Sequence, residues 1–305
     1  MCSACRRQQP AHAERWLNVS FWPTWLAPWR WSRWSPWSRW SRFGGFGSLE
    51  VTLPADDPRW QENLRQFPFL RQPTVAGDER LRQLVLAFLA RKEFTGAQGL
   101  VVTDAMALAI ASQACLPLLH MAPEMGALPD KVLDAYDDFV TIVVHPGDML
   151  ARRVDRDPAG VVHAYNEPMR GEAMEGGPIT LSWQAVAEAG QEAHDGLNLV
   201  IHEFAHKLDM RNGVANGCPP MRSADQQHWM RGMNAAFERF GEQVIRAERF
   251  GEPAPWMDAY AASSPAEFFA VGCEAYFVNP TRFGQEHPDI TALFDHFFSP
   301  DRRTS

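Results

Sequence analysis

Asn198-Leu199-Val200-Ile201-His202-Glu203-Phe204-Ala205-His206-Lys207-Leu208-Asp209 contains the pattern H-E-x-x-H. Its apolar residues (Leu199, Val200, Phe204, Ala205, Leu208) suit one helix with a buried side, and Asn198 suits the N-cap. On that helix His202 and His206 are four apart and project from one face, one turn apart, as two imidazoles holding one metal ion must. Glu203 stands next to the first of them, where it can take a proton from a metal-bound water instead of ligating. The plainer alternative is an amphipathic helix with two incidental histidines. A third ligand elsewhere in the chain separates the two readings.

Ser264-Pro265-Ala266-Glu267 reads as a helix start, with Ser264 at N-cap, Pro265 at N1 and Glu267 at N3, a capping box. The apolar run Phe268–Val271 behind it predicts a buried helix. A carboxylate near such a start is capped, paired or metal-bound, because an unpaired buried charge is costly. Glu267 is therefore either a cap or the third ligand. Two His, one Glu and a water form an established catalytic zinc set with one position open for chemistry. Glu274, seven residues further on, is the competing third ligand or a partner to a ligand.

Three motifs in order, GPITLSW (177–183), HEFAHKLDMRNG (202–213) and DAYAASSPAEFFAV (258–271), resemble the Mlc titration factor A (MtfA) family of zinc-dependent peptidases. The active-site part is also similar to the catalytic domain of anthrax lethal factor. The resemblance runs from about Arg59 to about Phe298. It implies His202, His206 and Glu267 as ligands of one zinc ion, Glu203 as general base and Tyr260 as transition-state stabiliser. It implies an α+β, mostly helical zincin-like metallopeptidase domain with a small sheet beside the H-E-x-x-H helix. The implied activity is peptide hydrolysis, aminopeptidase-like and linked to control of sugar uptake. The alternative is a regulatory protein that sequesters a transcriptional repressor of the Mlc type, with catalysis secondary or latent. On spacing alone Tyr260 reads as a core tyrosine with a satisfied hydroxyl.

The chain has 305 residues, 46% of them hydrophobic, enough for a sizeable core. Five widely spread cysteines do not form a disulfide framework, which favours a reducing, cytoplasmic setting. Cys2 and Cys5 make an isolated C-x-x-C without a second pair. Residues 1–43 hold seven arginines against Glu14 alone; in a chain of net charge −8 this leaves the remainder at −14. An acidic body argues against direct nucleic-acid binding. No apolar run reaches the length of a membrane span, and the N-terminus lacks the apolar stretch of a secretory signal.

Residues 1–50 form a Trp/Arg-rich, low-complexity arm, with Trp22, Trp25, Trp29, Trp31, Trp34, Trp37 and Trp40 among Arg, Ser and Pro. Its prolines oppose a regular helix and it has no core-forming period, so a disordered arm is expected ahead of a metallopeptidase domain at 51–305. Membrane contact through the tryptophans is the less favoured reading.

Within that domain, apolar spacing predicts helices around Trp60–Leu70, from Asp78 through Leu89, over Thr103–Leu116, around Gln184–Ala193, over Trp229–Phe250 and over Ile290–Phe298. Phe139–Val144 reads as a buried strand and Val161–Tyr165 as a weaker one. Ile179–Trp183 alternates like a half-exposed strand; on the resemblance it is the edge against which substrate backbone pairs, with an ordinary sheet strand as the alternative. Residues 214–228 read as an exposed loop. Asp209 shares a face with the two histidines, either orienting one of them or standing as a charged last-turn residue. The remaining histidines, His194 included, read as solvated or core residues.

Overall fold

Residues 52–121, 129–156 and 162–298 are described by a computed structural model; the expectations for residues 1–50 lie outside them. The described helices are α1 (Pro58–Gln66), α2 (Val75–Arg91), α3 (Asp104–Cys115), α4 (Pro129–Val132), α5 (Trp183–Glu192), α6 (Leu199–Asp209), α7 (Ser223–Phe250), α8 (Pro265–Val278), α9 (Pro280–Glu286) and α10 (Pro288–Phe298). The strands are β1 (Glu93–Gly96), β2 (Thr141–His145), β3 (Met149–Arg156), β4 (Val162–Met169), β5 (Gly171–Ala173) and β6 (Ile179–Ser182). The fold is α+β and mainly helical, as expected.

Four strands form one sheet in the order β1-β2-β6-β5. β1 pairs parallel with β2 and β2 parallel with β6, while β5 runs antiparallel to β6. Ile142, Val144, Ile179 and Leu181 are buried while Thr141, Val143 and Thr180 between them are half-buried, so the inner strands alternate and turn one face to the core. β3 and β4 form a separate antiparallel hairpin that leads through Arg170 into β5.

α6 carries the H-E-x-x-H pattern and sits at the centre. Val200, Ile201 and Phe204 are fully buried. The Phe204 ring lies 4.9 Å from that of Tyr136, 5.7 Å from Phe88 and 5.8 Å from Phe139, tying the back of the helix to α2 and to the segment entering β2. Truncating such a side chain costs about 3–5 kcal/mol, a large part of the ~5–15 kcal/mol that holds a domain together. A second aromatic cluster, Trp229, Phe269, Phe294 and Phe298, locks α8 between α7 and α10.

Two lysines are buried near the ring of Phe139. Lys92 lies with its ammonium 3.7 Å from the ring centroid and donates to the carbonyls of Tyr136 and Phe139. Lys207 lies 4.8 Å from the same centroid. Burial pulls the Lys92 ammonium down to about 8.

Three local expectations are corrected. Ile179–Ser182 is an inner strand: β2 and β5 occupy its two sides, so it has no free row of amides, and the edge is β5. The 214–228 segment is not all exposed loop. Gly217, Cys218 and Pro219 are buried, the Trp229 indole donates to Gly217 O at 2.8 Å, and α7 already begins at Ser223. Gly217 has φ +76°, and a Cβ there would stand 2.4 Å from Pro265 O, so this close approach to the start of α8 needs glycine. Finally, Ser264 Oγ accepts from the Glu267 amide at 3.2 Å, but the Glu267 carboxylate turns toward the two histidines of α6 instead of completing a capping box.

Candidate active site

The start of α6 is bolted to its neighbours before any ligand is placed. Asn198 Oδ1 accepts from the Ile201 amide at 2.9 Å, closing the N-cap. Its side-chain amide donates to Gln113 Oε1 on α3 at 2.8 Å, and its backbone amide donates to Glu274 on α8. The other Glu274 oxygen stands 2.7 Å from His202 Nδ1. A carboxylate accepts, so Nδ1 carries the proton. In a neutral imidazole Nε2 is then the bare nitrogen.

That nitrogen points at a small triangle. His202 Nε2 and His206 Nε2 are 3.2 Å apart, and Glu267 Oε2 lies 3.1 Å from the first and 3.3 Å from the second. These edges match those of a tetrahedron of ligands about 2.0 Å from a zinc-sized ion, roughly 3.3 Å. Glu267 Oε2 is buried and accepts no aligned hydrogen bond, an arrangement that is costly unless a cation sits between the three atoms. The electrostatics agree. Burial opposes a charge on His202, yet Glu274 and Glu267 hold its pKa well above the ordinary imidazole value. Burial likewise opposes ionised Glu267, yet the two imidazoles hold its carboxyl well below the usual range. The cluster demands positive charge, and its donor set fits a divalent metal.

Glu203 is buried beside this triangle, and burial pushes its carboxyl up to about 7 against the pull of His202 and His206. β5 passes directly over it: a Cβ on Gly171 would lie 2.5 Å from Glu203 Oε1 and 2.8 Å from Leu199 Cδ1. A cleft of about 530 Å³ opens here, lined among others by Gly171, Glu172, Ala173, Asp258, Tyr260 and Glu267. Among the described residues β5 pairs only with β6, so its other edge is open. Tyr260 sits in the turn Ala259–Ala262 with its amide on Asp258 Oδ1 at 2.9 Å. It is 55% exposed and its ring lies 6.3 Å from that of His202, so it is a wall of the cleft and not a core tyrosine.

The structure thus brings His202, His206, Glu203, Glu267 and Tyr260 around one cleft. Glu274 lies outside the triangle, on the far nitrogen of His202. Asp209 is fully buried with Oδ2 accepting from the Gly217 amide at 2.7 Å, so it secures the segment after α6. His194 is exposed beside Asp195. Gly171, Gln113 and Lys207 were not singled out from sequence; a lysine between the apolar Ala205 and Leu208 of a buried helix was the one available signal.

A zincin-like α+β fold with a two-histidine, one-glutamate cluster beside an H-E-x-x-H glutamate is the architecture of a metallopeptidase family. The chain belongs to the glucose-regulated metallo-peptidase M90 family, whose model matches residues 46–299. Its relatives include Mlc titration factor A of Serratia proteamaculans (strain 568), 36% identical over 246 residues that cover 80% of this chain and 87% of that protein. Mlc titration factor A of Yersinia pestis (strain Pestoides F) is 34% identical over 246 residues, covering 80% and 84%. No helix among the described residues is long and apolar enough to cross a membrane.

Proposed function

We propose that this chain is a zinc-dependent peptidase in which His202, His206 and Glu267 hold one zinc ion, Glu203 is the general base and Tyr260 steadies the oxyanion. The observation that carries the reading is the triangle of ligand atoms with edges of 3.1–3.3 Å, closed by an otherwise unpartnered Glu267 oxygen. When bound, zinc supplies an acidified water and polarises the scissile carbonyl. Glu203, desolvated next to the ligands, accepts the proton of the attacking water and returns it to the leaving amine. Glu274 keeps His202 in the ligating tautomer. The Tyr260 phenol, on the open side of the cleft, donates to the oxygen that gains charge. The open edge of β5 offers amides and carbonyls to an extended peptide.

Glu172 and Asp258 in the lining, beside a Glu192 paired with Arg170 at 3.5 Å, suit a substrate with a free amino terminus, which supports an aminopeptidase-like specificity. A cytoplasmic setting fits Cys115, Cys218 and Cys273, all free and buried. The relatives' name, Mlc titration factor A, favours a second role in this chain: binding a repressor of the Mlc type. The test measures metal content and peptide hydrolysis on the wild type and on Glu203→Ala. One zinc per chain in both, with turnover in the wild type alone, is expected. Absence of metal from both would overturn the site. Metal in both without turnover in either would favour repressor binding as the primary role.

A further inference from the structure

Lys207 follows the second histidine of H-E-x-x-H and is wholly buried. Its ammonium donates to Asp138 Oδ2 at 2.9 Å, to Met174 O at 2.6 Å and to Gly177 O at 2.9 Å. Three donors meet three acceptors, so no further partner is needed. Among the described residues Asp138 is the carboxylate paired with this charge, and the centroid of the Phe139 ring lies 4.8 Å from it. The other two bonds go to the turn that joins β5 to β6. That turn is itself closed by the Gly177 amide on Met174 O at 3.1 Å and the Met174 amide on Pro178 O at 3.3 Å. Fixing its two carbonyls therefore fixes the turn.

The opposite end of β5 is set by Gly171, packed on Leu199 and Glu203. Leu199, Glu203 and Lys207 recur every fourth residue and form one stripe along α6. Over that stripe the helix rises about 12 Å, while the chain from Gly171 to Met174 extends about 10 Å. The strand thus lies along the stripe, clamped at both ends. The clamp adds to a short ladder: β5 has three residues and, among the described residues, pairs with β6 alone.

We propose that Lys207 is a positioning residue that holds the open edge of β5 at a set height over the metal ligands and Glu203, so that an extended peptide pairing with β5 presents its scissile bond there. This rests on the peptidase reading for its kinetic consequence, but the anchoring itself is testable without turnover. In Lys207→Met, backbone hydrogen exchange across residues 171–178 is expected to quicken at least tenfold, while α6 and α8 keep wild-type protection and metal content stays at one per chain. For internally quenched peptides of six or more residues, KM is expected to rise about tenfold and kcat to fall less than threefold. A merely structural role would instead loosen α6 and lower kcat and metal content together. A second variant, two glycines inserted between Glu175 and Gly176, leaves the Lys207–Asp138 pair in place and slackens the turn. It should reproduce both the faster exchange and the KM effect, and it decides the matter if Lys207→Met does not fold. Wild-type exchange over 171–178 in either folded variant would overturn the proposal. Peptides left uncleaved by the wild-type protein would instead count against the peptidase reading, with the exchange result still deciding the role of Lys207.

Discussion

α6 has two working faces, and they are built in opposite ways. His202 and His206 look toward α8, where three polar atoms face one another with no proton arranged among them to satisfy all three. Glu203 and Lys207 look toward β5, where the Lys207 bonds are complete and glycine allows the backbone to touch the helix. The donors of the first face fit a cation between them; the Lys207 bonds of the second are made within the protein. Changes on the first should therefore read out in metal binding, and changes on the second in the handling of peptide.

The sharpest break is His206→Ala, which removes a corner of the triangle. Metal content should fall to background and hydrolysis with it, by metal analysis and a peptide assay on the same sample. Glu203→Ala should keep its metal and lose roughly 10²–10⁴-fold in kcat; loss of metal would show that Glu203 belongs to the ligand face. Tyr260→Phe should lower kcat about 10²-fold with metal retained, and an unchanged rate would leave Tyr260 as a wall only. Gly171→Ala drives a methyl against Glu203 and lifts the strand, so kcat/KM for peptides should fall about 10–100-fold without a change in metal content. Glu274→Ala should weaken metal binding by about 10–100-fold in a chelator competition, although the residue touches none of the positions a metal would occupy.

The same division explains what could be read in advance. The ligand face was legible because helical spacing is local: two histidines four apart need only a helix between them. Glu267 lies 61 residues beyond His206, and it was reached through its place behind Ser264-Pro265 and through the resemblance of its surrounding motif. The strand face was not legible. Gly171-Glu172-Ala173 has three residues, all half-buried, and so shows no twofold alternation, whereas Ile179–Trp183 alternates because one of its faces packs on the core; the pattern marks burial and does not tell an edge strand from an inner one. The first turns of α7, Ser223–His228, carry no apolar period because they face solvent. Sequence also shows Lys207 as a charge without showing that its partners lie 30, 33 and 69 residues away.

The chain contains three lysines, Lys92, Lys131 and Lys207, the rest of its basic residues being arginine. Lys131 is exposed, while Lys92 and Lys207 are enclosed near the ring of Phe139. Among lysine side chains, an acylating reagent applied to the folded protein would therefore mark Lys131 and spare the other two. Lys92 would become reactive when the packing around Phe139 parts and Lys207 when the turn over Met174 and Gly177 lifts, giving two built-in chemical reporters of local opening, one of them attached to the helix that carries the histidines.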